Sequence, residues 1–445
     1  MVQLKTEIQG KADIFMKKNK GKFWLALVIF SLVGQVAWVV ENMYFNVFIY
    51  KMFHASASAI SAMVAASAVA ATVTTLIIGA LSDKVGKRKI FICGGYIVWG
   101  ITIWSFSMIR TDVINGLFPG VASAAAVGVS LVIIMDCVMT FFGSSANDAC
   151  FNAWLTDMTD ETNRGAAEGI NSMMPLMAVL VVFGGFMGFD LNQSESWIAI
   201  FRIIGVVVVA IGVLGIFLIR EPKIQTDENQ NYFANILYGF RPDVIRGNKT
   251  LYATLLAVAA FNISIQVFMP YLILYYNVSL EMANYVLIMA PAIILAAVFT
   301  AFYGRVYDRV GFRKAVIIPI GMLMAGYVLL YFFRGTALVF AGSLLMMCGN
   351  LGGGAMFGAM VRDHTPDNKA GMFQGLRICA QVLIPGVIGP AIGAAVLKNA
   401  ATIVNDDGTT SFVPNANIFL AAFAAGIVIW LVLVWLFRML KKEEV

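Results

Sequence analysis

Glu41, Asp148 and Arg377 stand where the sequence offers them no water. They lie in "WVVENMYFN", "NDACFNAWLTDMT" and "FQGLRICAQ", each within a long apolar stretch. A charge inside a hydrocarbon layer costs at least about 2.5 kcal/mol on insertion scales, so such a group needs a partner, a hydrated cavity or a task. Glu41 is roughly 15 Å of helix from Lys51, with Asn42 beside it and Asn46 one turn on. A carboxylate there can take up and release a proton, bind a solute, or serve as a structural partner for a nearby Arg or Asn. Asp148 lies about 13 Å of helix before Asp157, flanked by Asn147 and Asn152, and Ser144 and Ser145 extend the polar patch. Asp148 and Asn152 are four apart and share a helical face. Such a cluster suits a hydroxyl-rich ligand; helix packing through small and polar residues is the competing explanation.

Gln374, Arg377 and Gln381 also fall on one face, and Asn262 and Gln266 form a second pair four apart. Arg377 can neutralise Asp148 or Glu41, donate to ligand oxygens, or gate the site from near a helix end. The candidate solute-binding residues are therefore Asp148, Asn152, Glu41, Asn147, Asn262, Gln266 and Arg377. Glu41 and Asp148 are also the candidates for coupling a cation. Asp136 and Arg202 read as snorkelling residues near span ends. Tyr44, Trp154, Tyr271 and Tyr275 read as stacking surfaces for a ring or as interfacial anchors.

The elements that must hold these groups are membrane helices. Of 445 residues, 60% are hydrophobic and only 13% charged, about half the charged share of a soluble domain. Apolar runs long enough to cross a bilayer are expected at 23–50, 57–81, 90–109, 125–156, 167–189, 197–219, 250–276, 281–304, 315–333, 337–361, 372–397 and 416–437. With both ends placed in the cytoplasm, 25 Lys and Arg fall on the inner side and only Lys51, Arg110, Arg334 and Lys398 on the outer. That asymmetry orients the chain and accounts for its net charge of +6 without a nucleic-acid partner. The first 22 residues are polar and basic and the first apolar run is a full span, so no cleavable signal peptide is expected. The five cysteines sit singly in apolar segments and the two histidines near helix ends, which predicts neither a disulfide framework nor a metal site.

One charged phrase is written twice. Gly79, Asp83, Gly86 and Arg88 in the first copy match Gly304, Asp308, Gly311 and Arg313 in the second. Each copy follows the second span of its half. A further echo, 157–170 against 363–376, keeps Asp157/Asp363, Thr159/Thr365 and Gly169/Gly375 after the fourth span. The reading is a basic N-terminal segment 1–22, a six-helix bundle 23–219, a central cytoplasmic loop 220–249, a second bundle 250–437 and a tail 438–445. Parallel repeats of this kind suit alternating access to a site between the halves. Gly86 permits a tight turn, Lys87, Arg88 and Lys89 hold it inside, and Asp83 is expected to pair with a neighbouring basic group or helix N-terminus.

The repeated phrase resembles the loop between the second and third helices of the major facilitator superfamily, and its counterpart between the eighth and ninth. The resemblance spans the whole chain and implies an all-α polytopic protein of twelve membrane helices in two pseudo-symmetric bundles. A second resemblance, to the glycoside–pentoside–hexuronide:cation symporters, rests on Asp148, the aromatic run after it and Asp157-x-Thr159. The span 57–81 carries none of the carboxylates of that group's sodium-dependent members, so proton coupling through another carboxylate, or no coupling, is expected over sodium. Gly389-Pro390-x-x-Gly393 is similar to part of a drug-antiporter motif. It falls on the eleventh span rather than the fifth, and close packing with a kink is expected there.

The function expected is secondary transport of a small polar solute, a sugar or glycoside, in symport with a cation. Export or uptake of amphipathic or lipid-like compounds is the first alternative, and a non-transporting sensor or assembly partner the second. The sequence holds no Gly-x-x-x-x-Gly-Lys-Ser/Thr motif for an ATP-driven motor and no polar segment large enough for a soluble enzyme. No cofactor is expected. The setting is a plasma membrane, and a monomer is expected.

Overall fold

The computed structural model describes residues 2–119, 123–159, 163–221, 236–282, 284–366, 370–405 and 408–443, with backbone alone at 2–20, 370–372, 374, 442 and 443. Twelve helices among them are long and apolar enough to span a membrane. They are α1 (Gly21–Phe53), α2 (Ala57–Val85), α3 (Lys89–Met108), α4 (Ala124–Asp157), α5 (Arg164–Phe186), α6 (Ser194–Leu218), α7 (Lys249–Ser279), α8 (Val286–Val310), α9 (Phe312–Phe332), α10 (Thr336–His364), α11 (Gly375–Leu397) and α12 (Asn417–Lys441). The helical backbone of α1 continues upstream to Val2. Much of the expected central loop, 222–235, lies outside the described residues, as do parts of both echoes at 160–162 and 367–369.

Several helices outrun their apolar stretches. Residues 82–85 form the last turn of α2, and 305–310 extend α8, so Asp83 and Asp308 are helical rather than looped. Hydropathy marks where hydrocarbon ends, whereas a helix ends where its backbone turns. At Gly86 the backbone enters the left-handed region (φ 66°) and its N–H bonds the Ser82 carbonyl. Gly311 turns at φ 73° but with an extended ψ of 168°, so the two copies of the phrase end their helices differently. The second echo is kept in detail. Thr159 Oγ1 donates to the Leu155 carbonyl (2.9 Å) and Thr365 Oγ1 to the Val361 carbonyl (2.6 Å), closing α4 and α10 alike.

Small residues set the helix spacing, as expected where lipid gives helices no hydrophobic reason to associate. A Cβ on Gly100 of α3 would lie 2.6 Å from the Gly205 carbonyl oxygen of α6. In the other half, a Cβ on Gly326 of α9 would lie 2.5 Å from the Met346 nitrogen of α10. The two six-helix bundles meet where α2 packs along α11 and α5 against α8. Gly386 brings α11 onto α2 at Ala68, and Gly389 brings it onto α7 at Gln266. The Gly-Pro stretch of α11 therefore packs closely against both halves.

A two-stranded antiparallel hairpin, β1 (Thr402–Val404) and β2 (Thr410–Phe412), joins α11 to α12. It marks one end of the bundle, called here the hairpin end; the charged turns mark the basic end.

Gly100→Ala should destabilise the folded protein by ~1–3 kcal/mol, because its Cβ meets backbone that cannot step aside. Gly94→Ala on the same helix meets nothing within 4 Å and should be neutral or mildly stabilising. Thermal unfolding of the purified variants checks the contrast; equal melting temperatures would remove the packing argument.

Candidate translocation site

The polar residues at depth sit where the α-helical ladder widens. Short π-helical stretches occur at Val40–Tyr44 in α1, Ser144–Phe151 in α4, Tyr275–Ser279 in α7 and Cys379–Leu383 in α11. Glu41, Asp148 and Gln381 lie on three of them. Such turns free backbone groups and re-aim side chains, and they concentrate at functional sites.

Between the bundles is a cavity of about 340 Å³. Its polar lining comes from α1 (Gln35, Glu41, Asn42), α2 (Ser67), α4 (Asp136, Thr140, Asp148), α7 (Gln266) and α11 (Gln381). Trp38, Met63, Val64, Ala68, Ala71, Val382 and Gly386 complete the wall. Both halves thus contribute, the first one most.

Glu41 is 6% exposed. Its Oε1 accepts from Ser67 Oγ (2.7 Å) and Thr140 Oγ1 (2.9 Å), whose hydroxyls are 2.8 Å apart. Its Oε2 is buried and has no hydrogen-bond partner. Asp136 is 2% exposed with Oδ1 likewise unpartnered, so it does not snorkel. Lying twelve residues into α4, about 18 Å from the helix start, it is at mid-depth and shares the cavity with Glu41. Asp148 accepts from Ser144 Oγ (3.0 Å) and Asn147 Nδ2 (3.3 Å).

Other expected residues stand elsewhere. Asn147 is buried behind Asp148, where its Oδ1 accepts from Tyr96 OH (2.9 Å); it braces the carboxylate and does not line the cavity. Asn152 is exposed, and its amide donates to the Asp148 carbonyl (3.2 Å), the usual fate of a short amide one turn on. Asn262 is off the cavity wall although Gln266 is on it, since one helical turn also rotates a side chain by about 40°. Arg377 is also off the wall, toward the basic end, and it feels the charges of Arg362 and Glu168. Gln35, Ser67, Thr140 and Asn42 line the site with little sequence signal, because a neutral polar side chain is cheap in a helix bundle.

The four aromatic candidates do not line the cavity either. Tyr44 and Tyr285 share a hydroxyl contact across the halves (3.0 Å), and Tyr271 OH donates to the Ala57 carbonyl (3.0 Å). Near the hairpin, Tyr50 OH donates to the Phe412 carbonyl (2.6 Å) and His54 Nδ1 lies 3.2 Å from Ser411 Oγ. Together these bonds tie the halves at the hairpin end. Trp154 Nε1 donates to the Arg220 carbonyl (2.8 Å), and Tyr275 faces Arg334.

At the basic end, Arg88 is not a solvated anchor but 4% exposed. Its guanidinium reaches Asp83 (2.5 Å), Asp157 (3.0 Å) and Ser82 Oγ (2.5 Å). Glu221 accepts from the Arg88 and Lys89 backbone N–H groups, capping α3. One side chain thereby ties the ends of α2, α3 and α4. In the second copy Tyr307 stands at the position matching Ser82, and its hydroxyl donates to Asp363, the match of Asp157. Asp308, Gly311 and Arg313 border a wide cleft of about 1020 Å³ beside that bond.

Twelve spanning helices in two pseudo-symmetric bundles, with a polar cavity between them, define a membrane transporter for a small solute. The chain belongs to the major facilitator superfamily, whose family model matches residues 23–390 and, in a second match, 251–445. Its fold is similar to that of the nucleoside transporter NupG in a mutant form (TM-score 0.69, 14% identity, 93% of this chain and 99% of that one). It is similar also to a bacterial homologue of the human lysosomal transporter Spinster, inward-facing and occupied (0.66, 16%, 95% and 97%). The xylose transporter XylE from E. coli is a further likeness (0.68, 12%, 93% and 98%). At these identities the likeness is one of fold. No curated protein sequence matches the chain.

Asp83→Asn should weaken a charge-assisted contact to Arg88 by about 1 kcal/mol, a modest figure because Asp83 is half exposed. Because Arg88 and all its partners lie in the first half, the loss should loosen the ends of α2, α3 and α4 within that half. Turnover should slow while solute affinity holds. Parallel binding and flux measurements check this; a large loss of affinity at normal turnover would contradict it.

Proposed function

We propose that the protein moves a small hydroxyl-bearing solute, of sugar or glycoside size, in symport with a cation by alternating access. The observation that supports this most directly is the mid-depth cavity fed by α1, α2 and α4 from one half and α7 and α11 from the other. Its amides and hydroxyls can pair with hydroxyl groups while its carboxylates exchange charge. Names in the fold neighbourhood point the same way, since nucleosides and xylose are both hydroxyl-rich solutes.

Glu41 and Asp148 are assigned to solute binding and cation coupling, with Gln266 facing them. Asn147 is assigned to positioning Asp148, and Arg377 to gating from the basic end. The cation is a proton, because the hydroxyl-rich α2 offers Ser67 and no carboxylate to the cavity. The halves, 23–219 and 250–437, rock about the site with 220–249 joining them. The hairpin-end bonds hold one state closed, and the Arg88 cluster keeps its half rigid at the other end. Both termini and the charged turns face the cytoplasm, the membrane is the plasma membrane, and the working unit is one chain.

Proton-coupled uptake in proteoliposomes tests this. Asp148→Asn and Glu41→Gln should each cut coupled uptake by at least about tenfold, as expected when a buried charge that carries the reaction is removed. Normal uptake and normal proton movement in both variants would reject the assignments.

A further inference from the structure

We propose that the transported solute carries a positive charge, a protonated amine on a compact polar body, and that Glu41 and Asp136 receive that charge. The proposal rests on the transport reading and narrows its substrate class. Three carboxylates, those of Glu41, Asp136 and Asp148, line one cavity, and no Lys, Arg or His is among its described lining residues. Arg377, the cation that sequence offers as a counter-charge, is not on that wall. The imbalance is local, because the chain as a whole is basic.

The carboxylates are also incompletely satisfied. Glu41 Oε2 and Asp136 Oδ1 are buried acceptors with no donor, on side chains that are 6% and 2% exposed. Buried polar atoms in folded proteins are almost always paired, and an unpaired acceptor in a low-dielectric interior is costly. The hydroxyls of Ser67 and Thr140 are already committed to Oε1 of Glu41. Each of these two atoms lacks a donor, and an ammonium supplies three N–H donors at once. Trp38 is on the same wall, and an indole is the aromatic ring with the strongest attraction for a cation.

The body of the solute follows from the rest of the lining. Gln35, Asn42, Gln266 and Gln381 offer amides to hydroxyl groups, and Met63, Val64 and Val382 offer apolar contact. A cavity of about 340 Å³ is far larger than a metal ion and fits a molecule of monosaccharide size. Among the described residues no three His, Cys, Asp or Glu side chains are placed to hold one metal ion together. Asp148, about three turns nearer the basic end than Asp136, remains for the coupling proton.

Matched probes that differ in charge test the assignment on the full-length purified protein. Calorimetric titrations would compare glucosamine with glucose, and putrescine with 1,4-butanediol, at a pH where the amines are protonated. At least one amine should bind about tenfold or more tightly than its neutral partner, and Asp136→Asn or Glu41→Gln should abolish the difference. Equal or tighter binding of the neutral partners, no binding by either amine, or a preference that survives both substitutions would overturn the proposal. The comparison within wild-type protein stands even where a variant does not insert. Flux in proteoliposomes separates the two readings. If glucose alone is moved, transport holds and the charge assignment falls; if an amine binds at Glu41 and Asp136 but is not moved, the assignment holds and transport falls.

Discussion

A carboxylate at the centre of a membrane protein constrains everything around it. Glu41 can sit at mid-depth only because α2 and α4 bring Ser67 and Thr140 to one of its oxygens. Those two helices pack directly on each other, α11 lies close against α2 at Gly386, and Glu41 itself sits on a π-turn of α1. The other oxygen is left without a donor, beside a second buried carboxylate in the same state. A fold selected for stability alone would replace these groups with apolar ones, since buried charge seldom improves stability. The proposed arrival and departure of a charge accounts for their presence.

The two halves share a plan but not a division of labour. In the first, Arg88 gathers Asp83, Ser82 and Asp157 into a buried cluster that fixes three helix ends. In the second, Tyr307 replaces Ser82 and reaches Asp363 directly, beside an open cleft. All the acidic and hydroxyl groups that line the cavity also come from the first half, while the second supplies amides from Gln266 and Gln381. The first half therefore supplies the charge of the cavity. The second carries the hairpin whose Phe412 carbonyl and Ser411 meet Tyr50 and His54 across the interface. Opening toward the hairpin end requires those contacts to part together.

Much of this fold is legible in the sequence, because twelve apolar runs and a repeated charged phrase are long-range patterns that no single packing detail alters. Helix ends were less legible, since Gly86 and Gly311 stop α2 and α8 well beyond the apolar residues. Glu41, Asp148 and Gln266 stand out by their depth. Asp136 reads from the sequence as a snorkelling residue, whereas it is buried and lines the cavity beside Glu41. Asn152, Asn262 and Arg377 share helical faces with cavity residues, but spacing names a face without naming the neighbour opposite it. Arg88 looked like one more inner-side charge; only the convergence of α2, α3 and α4 shows it buried.

The central claim is that the mid-depth cavity opens by turns to the two sides of the membrane. Thiol labelling measures this directly, using Gln266→Cys in protein whose five native cysteines are replaced by serine. In oriented proteoliposomes, a membrane-impermeant reagent applied at the hairpin end should label slowly. Labelling should quicken when Tyr44→Phe and Tyr50→Phe loosen the contacts between the halves, with reactivity from the basic end falling in step. A cysteine equally reactive from both ends, or indifferent to those substitutions, would contradict the account.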